Sequence, residues 1–209
     1  MMNWDSAISE NSLIAILRGL EPDRAIDVAD VLVEAGFRII EVPLNSPDPL
    51  VSINRIVNKY GNRAIVGAGT VLTEDDASAV VDAGGQIIVA PNMNPAVGKR
   101  SVELGAKWCP GVLTPTEAFQ ALELGASVLK FFPAEMVSPK AISAMRAVLP
   151  KDAIVAAVGG INPENMEIYA NAGANSFGLG SALFKPSYDM PELKERADAF
   201  VNAFKGLNV

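Results

Sequence analysis

The sequence contains no histidine and only one cysteine, Cys109. The lack of histidine excludes Ser-His-Asp and Cys-His catalysis, histidine-ligated zinc and the usual general base at neutral pH. Acid–base chemistry must therefore fall to Glu, Asp, Lys, Tyr or water. A single cysteine cannot form an intramolecular disulfide, which fits a reducing, cytoplasmic compartment. Because no histidine or second cysteine can activate its thiol, we interpret Cys109 as a core residue.

The sequence also lacks basic clusters and long apolar segments. Lys and Arg number 17 against 24 Asp and Glu, a net charge of −7, so we expect no nucleic-acid partner. The longest apolar runs span only a few residues and are too short to cross a bilayer. The first residues show neither the basic region nor the apolar region of a signal peptide. These features predict a cytoplasmic protein without a membrane partner.

Nothing along the chain suggests a domain boundary. The 209 residues are 50% hydrophobic and 20% charged, a composition typical of a globular protein with a sizeable core. No linker, low-complexity stretch or long charge run interrupts them. We therefore expect one domain that spans residues 1–209.

Short apolar runs rich in β-formers alternate with amphipathic segments. Eight such runs occupy residues 13–17, 38–42, 64–68, 86–89, 107–109, 127–131, 154–158 and 175–179. Their starts lie roughly 20 to 27 residues apart, enough for one strand and one helix. Prolines that suit the first position of the intervening helices are Pro22, Pro47, Pro95, Pro115, Pro139 and Pro163.

This alternation predicts an α/β fold with a parallel sheet covered by helices. Eight units in a chain of this length favour a single (β/α)8 TIM barrel, whose active site lies where strands end and helices begin. The alternative is an open doubly wound sheet. That fold usually has a Gly-rich loop after its first strand, and residues 18–21 (RGLE) form no such loop. Residues 1–11 stay unplaced, and a short helix that covers the barrel base is one interpretation.

Two charged residues lie in apolar strands. Lys130 is flanked by residues 128–133 (VLKFFP), and Glu41 stands among residues 38–43 (RIIEVP). A desolvated lysine loses its proton more readily and becomes an amine nucleophile for a carbonyl, and a nearby carboxylate can move the protons. The alternatives are a lysine that snorkels from a strand end and a structural salt bridge between Lys130 and Glu41.

Glycine-rich segments end the seventh and eighth predicted strands. Gly159 and Gly160 close the seventh strand, and residues 178–181 (GLGS) close the eighth. In barrels these two loops, with a helix N-terminus, form the recurrent phosphate site. Gly-Gly alone more often marks a turn, but the two positions together predict a phosphorylated substrate.

Two other strand ends carry polar residues. Thr70 follows small residues at the end of strand three, and its hydroxyl could bind a substrate oxygen. Arg18 ends strand one, where its planar guanidinium suits a carboxylate. A surface ion pair explains Arg18 equally well.

Four segments taken together resemble one enzyme family. They are residues 41–47 (EVPLNSP), 67–72 (GAGTVL), 130–135 (KFFPAE) and 158–161 (VGGI). In this order they resemble the 2-keto-3-deoxy-6-phosphonate (KDPG/KHG) aldolase family over almost the whole chain. The resemblance implies a class I aldolase that cleaves a phosphorylated keto sugar acid to pyruvate and glyceraldehyde 3-phosphate. It also implies a (β/α)8 barrel, usually a homotrimer, that needs no metal or other cofactor.

The resemblance assigns roles to individual residues. Lys130 is similar to the Schiff-base lysine, and Glu41 is similar to the general acid/base. Thr70 resembles a contact to the pyruvate carboxylate, and Pro91 and Phe132 resemble the wall of the pyruvyl pocket. The phosphate site is implied for Gly159, Gly160, Gly180 and Ser181.

Two positions resemble the 6-phosphogalactonate branch of the family rather than the 6-phosphogluconate branch. Asn45 stands where the gluconate branch has arginine, and Val158 stands where it has threonine. We infer that Arg18 supplies the carboxylate-binding charge that Asn45 cannot. The two substrates differ only at C4, and the hydroxyl lost at position 158 is worth about 1 kcal/mol, so activity on both epimers is compatible with these residues.

Other readings stay open at this point. Within the family, the chain could be a gluconate-type aldolase or an enzyme that accepts both epimers. Another phosphosugar barrel enzyme, such as an isomerase or epimerase, would use Glu41 as a base and Lys130 without a covalent imine. A sugar-phosphate-binding protein would show no turnover.

Overall fold

In the computed structural model, which describes residues 2–207, strands and helices alternate along the chain. The strands are β1 (Leu13–Ile16), β2 (Ile39–Pro43), β3 (Ile65–Gly69), β4 (Ile87–Val89), β5 (Lys107–Cys109), β6 (Gly111–Val112), β7 (Leu129–Phe131), β8 (Val155–Val158) and β9 (Ser176–Leu179). The helices are α1 (Trp4–Glu10), α2 (Ala25–Ala35), α3 (Pro49–Tyr60), α4 (Glu74–Asp82), α5 (Pro95–Glu103), α6 (Pro115–Glu123), α7 (Pro139–Arg146), α8 (Met166–Asn171) and α9 (Met190–Lys205). Two 3₁₀ turns cover Pro22–Arg24 and Ala134–Met136. None of the helices within residues 2–207 is both long and apolar enough to span a membrane.

The strands form one parallel sheet that closes on itself. Their order is β5-β4-β3-β2-β1-β9-β8-β7-β6, and β5 and β6 are separated in sequence only by Pro110. Proline has no N–H to donate, so it interrupts the ladder, while its carbonyl accepts a hydrogen bond from the Lys130 N–H at 3.0 Å. β5 and β6 are thus two halves of one barrel strand, the first paired with β4 and the second with β7. This confirms the predicted eight-unit TIM barrel.

Alternate residues of each strand point into the barrel, as the period of two in a β-strand requires. The residues inside include Ile14, Ile39, Ile65, Ile87 and Val128. Their strand neighbours pack outward against the helices in a separate cluster. Cys109, 1% exposed, belongs to the inner group, which confirms its interpretation as a core residue.

Helix α1 closes the N-terminal end of the barrel. Asn3 caps it, because its side-chain oxygen accepts the Asp5 N–H at 2.8 Å. The Trp4 side chain is buried and packs against the inner cluster of the barrel. The interpretation of the first residues as a short helix over the barrel base is therefore confirmed for the part of the chain that the structure describes.

Three of the six predicted helix starts are wrong. Pro22 begins a 3₁₀ turn, and α2 itself begins at Ala25. α3 begins at Pro49 rather than Pro47, since Asp48 adopts a left-handed conformation (φ 38°) and the second proline takes the first helical position. α8 begins at Met166 rather than Pro163. There Asn162 and Asn165 accept each other's backbone N–H at 2.9 Å, which completes a turn before the helix starts.

We expect Trp4→Ala to lower stability without loss of catalysis. Removing a buried tryptophan typically costs about 3–5 kcal/mol, whereas Trp4 lies at the end of the barrel opposite the strand C-termini. Chemical denaturation measures the stability change, and Trp4→Phe, which keeps most of the apolar contact, should show a smaller loss. An unchanged denaturation midpoint would show that α1 does not plug the barrel.

Candidate active site

The alternation that fills the barrel with aliphatic side chains also turns Glu41 and Lys130 inward. Ile39 and Val128 lie inside the barrel, and Glu41 and Lys130 follow them by two residues on β2 and β7. Glu41 is 2% exposed and Lys130 is 7% exposed. Within residues 2–207 no other Asp, Glu, Lys or Arg side chain is buried. The barrel thus places its two buried charges among hydrocarbon.

Glu41 is desolvated and incompletely hydrogen-bonded. Its Oε2 atom is buried and accepts no hydrogen bond from any described residue. A Cβ at position 69 would lie 1.8 Å from that oxygen, so Gly69 is what leaves space for the carboxylate. Burial raises the pKa of Glu41 to about 7, against the opposing attraction of Lys130 and Arg18.

Lys130 is destabilised as a cation in the same way. Burial lowers the pKa of its ammonium below the usual range, and the Glu41 carboxylate opposes that change. The Lys130 Nζ lies 4.6 Å from the centroid of the Phe132 ring. Lys130 and Glu41 do not form an ion pair with each other. The structural salt bridge, the alternative explanation of this pair, is therefore not what the structure shows.

A small void separates the two side chains. It measures about 10 Å³ and is lined by Glu41, Lys130, Cys109 and Val158, among others. Such a volume corresponds to about one water molecule. Cys109 takes no part in acid–base chemistry there, because burial raises the pKa of its thiol far above neutral pH.

A larger cavity opens above this void at the C-terminal ends of the strands. Its volume is about 460 Å³, and it shares Ile16, Val158 and Gly178 with the void below. The predicted site residues that line it are Arg18, Phe132, Val158, Gly159, Gly160, Gly180 and Ser181. A ligand in this cavity can therefore extend from the barrel mouth towards Lys130.

Two glycines after β8 and a short turn after β9 line one side of the cavity. Gly159 and Gly160 adopt positive φ angles of 105° and 66°, which glycine tolerates best. After β9, the N–H groups of Leu183 and Phe184 donate to the Gly180 carbonyl at 2.9 and 3.0 Å. In such a helical turn the preceding N–H groups have no partner within the turn. This arrangement suits an anion.

Arg18 stands at the rim of the cavity with an uncharged partner. Its Nη1 donates a hydrogen bond of 2.6 Å to the side-chain oxygen of Asn45. The surface ion pair considered for Arg18 is absent, since no carboxylate of the described residues pairs with it. Asn45 thus orients the guanidinium without neutralising it.

Thr70 and Pro91 lie at the ends of β3 and β4 and line neither the cavity nor the void. Thr70 has a positive φ of 56°, a strained conformation for a β-branched residue and one that clusters at functional sites. Pro91 is half-buried, and its carbonyl would lie 2.1 Å from a Cβ at position 111, so Gly111 allows the close approach.

Three polar residues that line the cavity were not predicted from the sequence: Glu135, Asn162 and Lys185. Glu135 belongs to the KFFPAE segment, but nothing in the segment indicated that its side chain lines the cavity. Asn162 precedes Pro163, and its position in the sequence did not indicate that it lines a cavity. Lys185 had one available signal, a basic residue shortly after the glycine-rich end of β9.

Comparison with known proteins agrees with this geometry. The family model described as KDPG and KHG aldolase matches residues 4–195, so the chain belongs to this aldolase family. The family defines a carbon–carbon lyase rather than an isomerase or a binding protein, and the site's buried lysine and carboxyl group suit that chemistry.

Individual similar proteins are named for one substrate of the family. The chain is 48% identical to the probable 2-dehydro-3-deoxy-6-phosphogalactonate aldolase of Rhizobium meliloti, over 93% of this chain and 92% of that protein. It is 44% identical to the 2-dehydro-3-deoxy-6-phosphogalactonate aldolase of Escherichia coli, over 98% of both chains. The solved structure described as native KDPGal superposes with a TM-score of 0.91 at 46% identity and covers 92% of this chain and 94% of that one.

We expect Glu41→Gln to stabilise the protein at alkaline pH. The carboxyl group of Glu41 binds its proton more tightly in the folded chain than in the unfolded chain. Ionisation of Glu41 therefore destabilises the folded protein: the loss of stability is absent below pH about 4.5, grows as the pH rises, and is complete above about 7. A shift from 4.5 to about 7 corresponds to about 3 kcal/mol at most, and this net shift already includes the attraction of Lys130 and Arg18. Urea unfolding of both proteins at pH 4 and pH 8 measures this. A gain of equal size at the two pH values would contradict a raised pKa at Glu41.

Proposed function

We propose that this chain is a class I Schiff-base aldolase that cleaves 2-dehydro-3-deoxy-6-phosphogalactonate to pyruvate and D-glyceraldehyde 3-phosphate. The observation that carries the proposal is the pairing of a buried lysine with a buried carboxyl group that it does not neutralise, beneath a cavity open to substrate. The names of the phosphogalactonate aldolases similar to this chain support the choice of substrate.

In the proposed reaction Lys130 acts as the nucleophile. The lowered pKa of its ammonium increases the fraction of free amine, which attacks the C2 ketone. Loss of water from the resulting carbinolamine gives an iminium. The positive nitrogen accepts the electron pair of the C3–C4 bond as the C4 hydroxyl loses its proton. Glyceraldehyde 3-phosphate leaves, and an enamine of pyruvate stays on Lys130.

Glu41 is proposed to move the protons. A pKa of about 7 lets its carboxyl group both accept and return a proton near neutral pH. The void of about 10 Å³ gives room for one water between Glu41 and Lys130, so the transfer can be direct or through that water. Protonation of the enamine at C3 and hydrolysis of the iminium then release pyruvate and the free amine. The proposed cycle uses no metal.

The substrate's two anionic ends are assigned to different groups. The phosphate is proposed to bind the N–H groups around Gly159, Gly160, Gly180 and Ser181, which line one side of the cavity. We assign the carboxylate to Arg18 and to the Thr70 hydroxyl, which directly follows β3. Phe132 and Pro91 are proposed to bound the pyruvyl part, since the Phe132 ring lies next to the Lys130 amine.

Specificity at C4 is assigned to Val158. This side chain is 5% exposed and lines both the cavity and the void, so it lies between the proposed phosphate site and the reacting lysine. It offers no hydrogen-bonding group to a C4 hydroxyl, in contrast to threonine.

We also propose one domain, a homotrimer and a cytoplasmic location. Large apolar side chains exposed on the outer surface are consistent with contacts between copies, and they include Leu72, Val102, Leu113 and Phe119. The single cysteine, which is free and buried, is consistent with a reducing compartment.

Incubation with pyruvate and borohydride tests the imine. We expect a reduced pyruvyl adduct on Lys130, detected by intact mass and located by peptide mapping. Lys130→Met should form no adduct and lose activity by several orders of magnitude, because no amine remains to form the iminium. Lys107→Met is the matched control, since Lys107 lies on β5 away from the cavity. Folded wild-type protein without an adduct at saturating pyruvate would refute the class I mechanism.

Kinetics on the two C4 epimers test the substrate. We expect a higher kcat/KM for the galactonate epimer, and Val158→Thr should shift the ratio towards the gluconate epimer by about fivefold, equivalent to about 1 kcal/mol. A pyruvate-coupled assay measures both rates. A wild-type preference for the gluconate epimer would overturn the assignment while leaving the imine chemistry intact.

A further inference from the structure

The segment that follows β9, residues 181–188, forms one wall of the cavity. Ser181, Lys185 and Pro186 from this segment line the cavity. Leu183 and Phe184 between them are buried in the core at 0% and 3% exposure. The position of Lys185 is therefore fixed by its buried neighbours, although its own side chain is exposed.

Arg24 ties the far end of this segment to the rest of the barrel. Its guanidinium donates hydrogen bonds to the carbonyls of Pro186 and Tyr188, the latter at 2.5 Å. The Pro186 ring also packs on Gly19, where a Cβ would come within 2.8 Å of it. The backbone on the C-terminal side of Lys185 is thus held by contacts distant in sequence.

A second arginine holds the other end. Arg196 on α9 donates to the Ala182 carbonyl at 3.1 Å, and its guanidinium carbon lies 4.3 Å from the Tyr188 ring centroid. The Lys185 Nζ lies 5.5 Å from the centroid of the same ring. Tyr188 therefore attracts both cations through its ring, which limits the directions in which Lys185 can extend.

The charged side chains around the cavity leave Lys185 without a partner among the described residues and able to bind an anion. The ionisable side chains that line it are Arg18, Glu135 and Lys185. Arg18 is oriented by Asn45 and is assigned to the substrate carboxylate. Glu135 lines the same cavity, with Oε1 3.3 Å from a Cβ built at Gly160, so a carboxylate lies beside the proposed phosphate site. In the described part of the chain, Lys185 donates to no acceptor and pairs with no carboxylate.

We propose that Lys185 is a further substrate-binding residue that pairs with the terminal phosphate. It offsets the repulsion between the phosphate and Glu135, and the anchored segment 181–188 holds it next to the N–H groups of Ser181 and Gly180. This inference rests on the proposed function for the identity of the substrate. It adds a side-chain cation to a phosphate site otherwise built from backbone N–H groups.

Two substrates that differ only in the phosphate distinguish a loss of phosphate binding from a general folding defect, which would lower activity on both. We expect Lys185→Gln to lower kcat/KM about tenfold on 2-dehydro-3-deoxy-6-phosphogalactonate, mainly through KM, the loss expected for one exposed charge-assisted contact. On the same sugar acid without its phosphate, the variant should stay within twofold of wild type. Lys185→Arg should recover most of the activity on the phosphorylated substrate.

Lys194→Gln is the matched control. Lys194 is exposed on α9 and pairs with Asp198 at 2.6 Å, so the substitution removes the same charge away from the cavity. It should change neither substrate's kinetics by more than twofold. Equal losses for Lys185→Gln on both substrates, or no loss on the phosphorylated one, would overturn the assignment.

Binding of inorganic phosphate tests Lys185 without turnover. Isothermal titration should show weaker phosphate binding to Lys185→Gln than to wild type, by a factor similar to the loss in kcat/KM. Equal affinities would refute the role of Lys185. If wild type fails to cleave the phosphogalactonate substrate but binds phosphate through Lys185, the proposed substrate is wrong while this assignment stands.

Discussion

The desolvation of two opposite charges inside an apolar barrel is the constraint on which this site depends. Lys130 and Glu41 are surrounded by aliphatic side chains and do not neutralise each other. Burial therefore acts on each group in the direction that favours its neutral form: it lowers the pKa of the ammonium and raises that of the carboxyl group. The same environment that costs stability gives both groups the protonation behaviour that the proposed Schiff-base mechanism needs at neutral pH.

Closure of the barrel fixes the strand geometry that holds these two groups inside. Every strand pairs on both sides once β5 and β6 are counted as one strand, so the inward direction of each alternate residue is fixed. Glycines then make room where side chains would collide. Gly69 accommodates the Glu41 carboxylate, and Gly178 leaves space beside Val158. The reactive groups are thus placed by strand geometry and not by flexible loops.

An acidic protein that binds an anionic substrate needs positive potential at the binding site to offset its overall negative charge. The chain carries a net charge of −7, and Glu135 adds a negative charge at the cavity wall. We propose that backbone N–H groups at the ends of β8 and β9, with Arg18 and Lys185, supply the positive potential at the cavity. The anchoring of residues 181–188 by Arg24 and Arg196 shows how distant helices support that surface.

By itself the sequence determined the strands, the barrel and the two charged residues that lie buried inside it. Period-two apolar runs and their spacing are local properties, so the eight strands could be located from them, and a lysine or glutamate inside such a run is anomalous wherever the strand lies. The sequence did not determine every helix start. Pro47 and Pro49 both suit a first helical position, and the left-handed backbone of Asp48 places the start of α3 at Pro49.

Only the tertiary structure decided that Lys130 and Glu41 face one void without pairing, that Asn45 orients Arg18, and that Glu135, Asn162 and Lys185 share a cavity. These relations join residues far apart in the chain. They exist only after the barrel closes, and no local pattern records which side chains closure brings together.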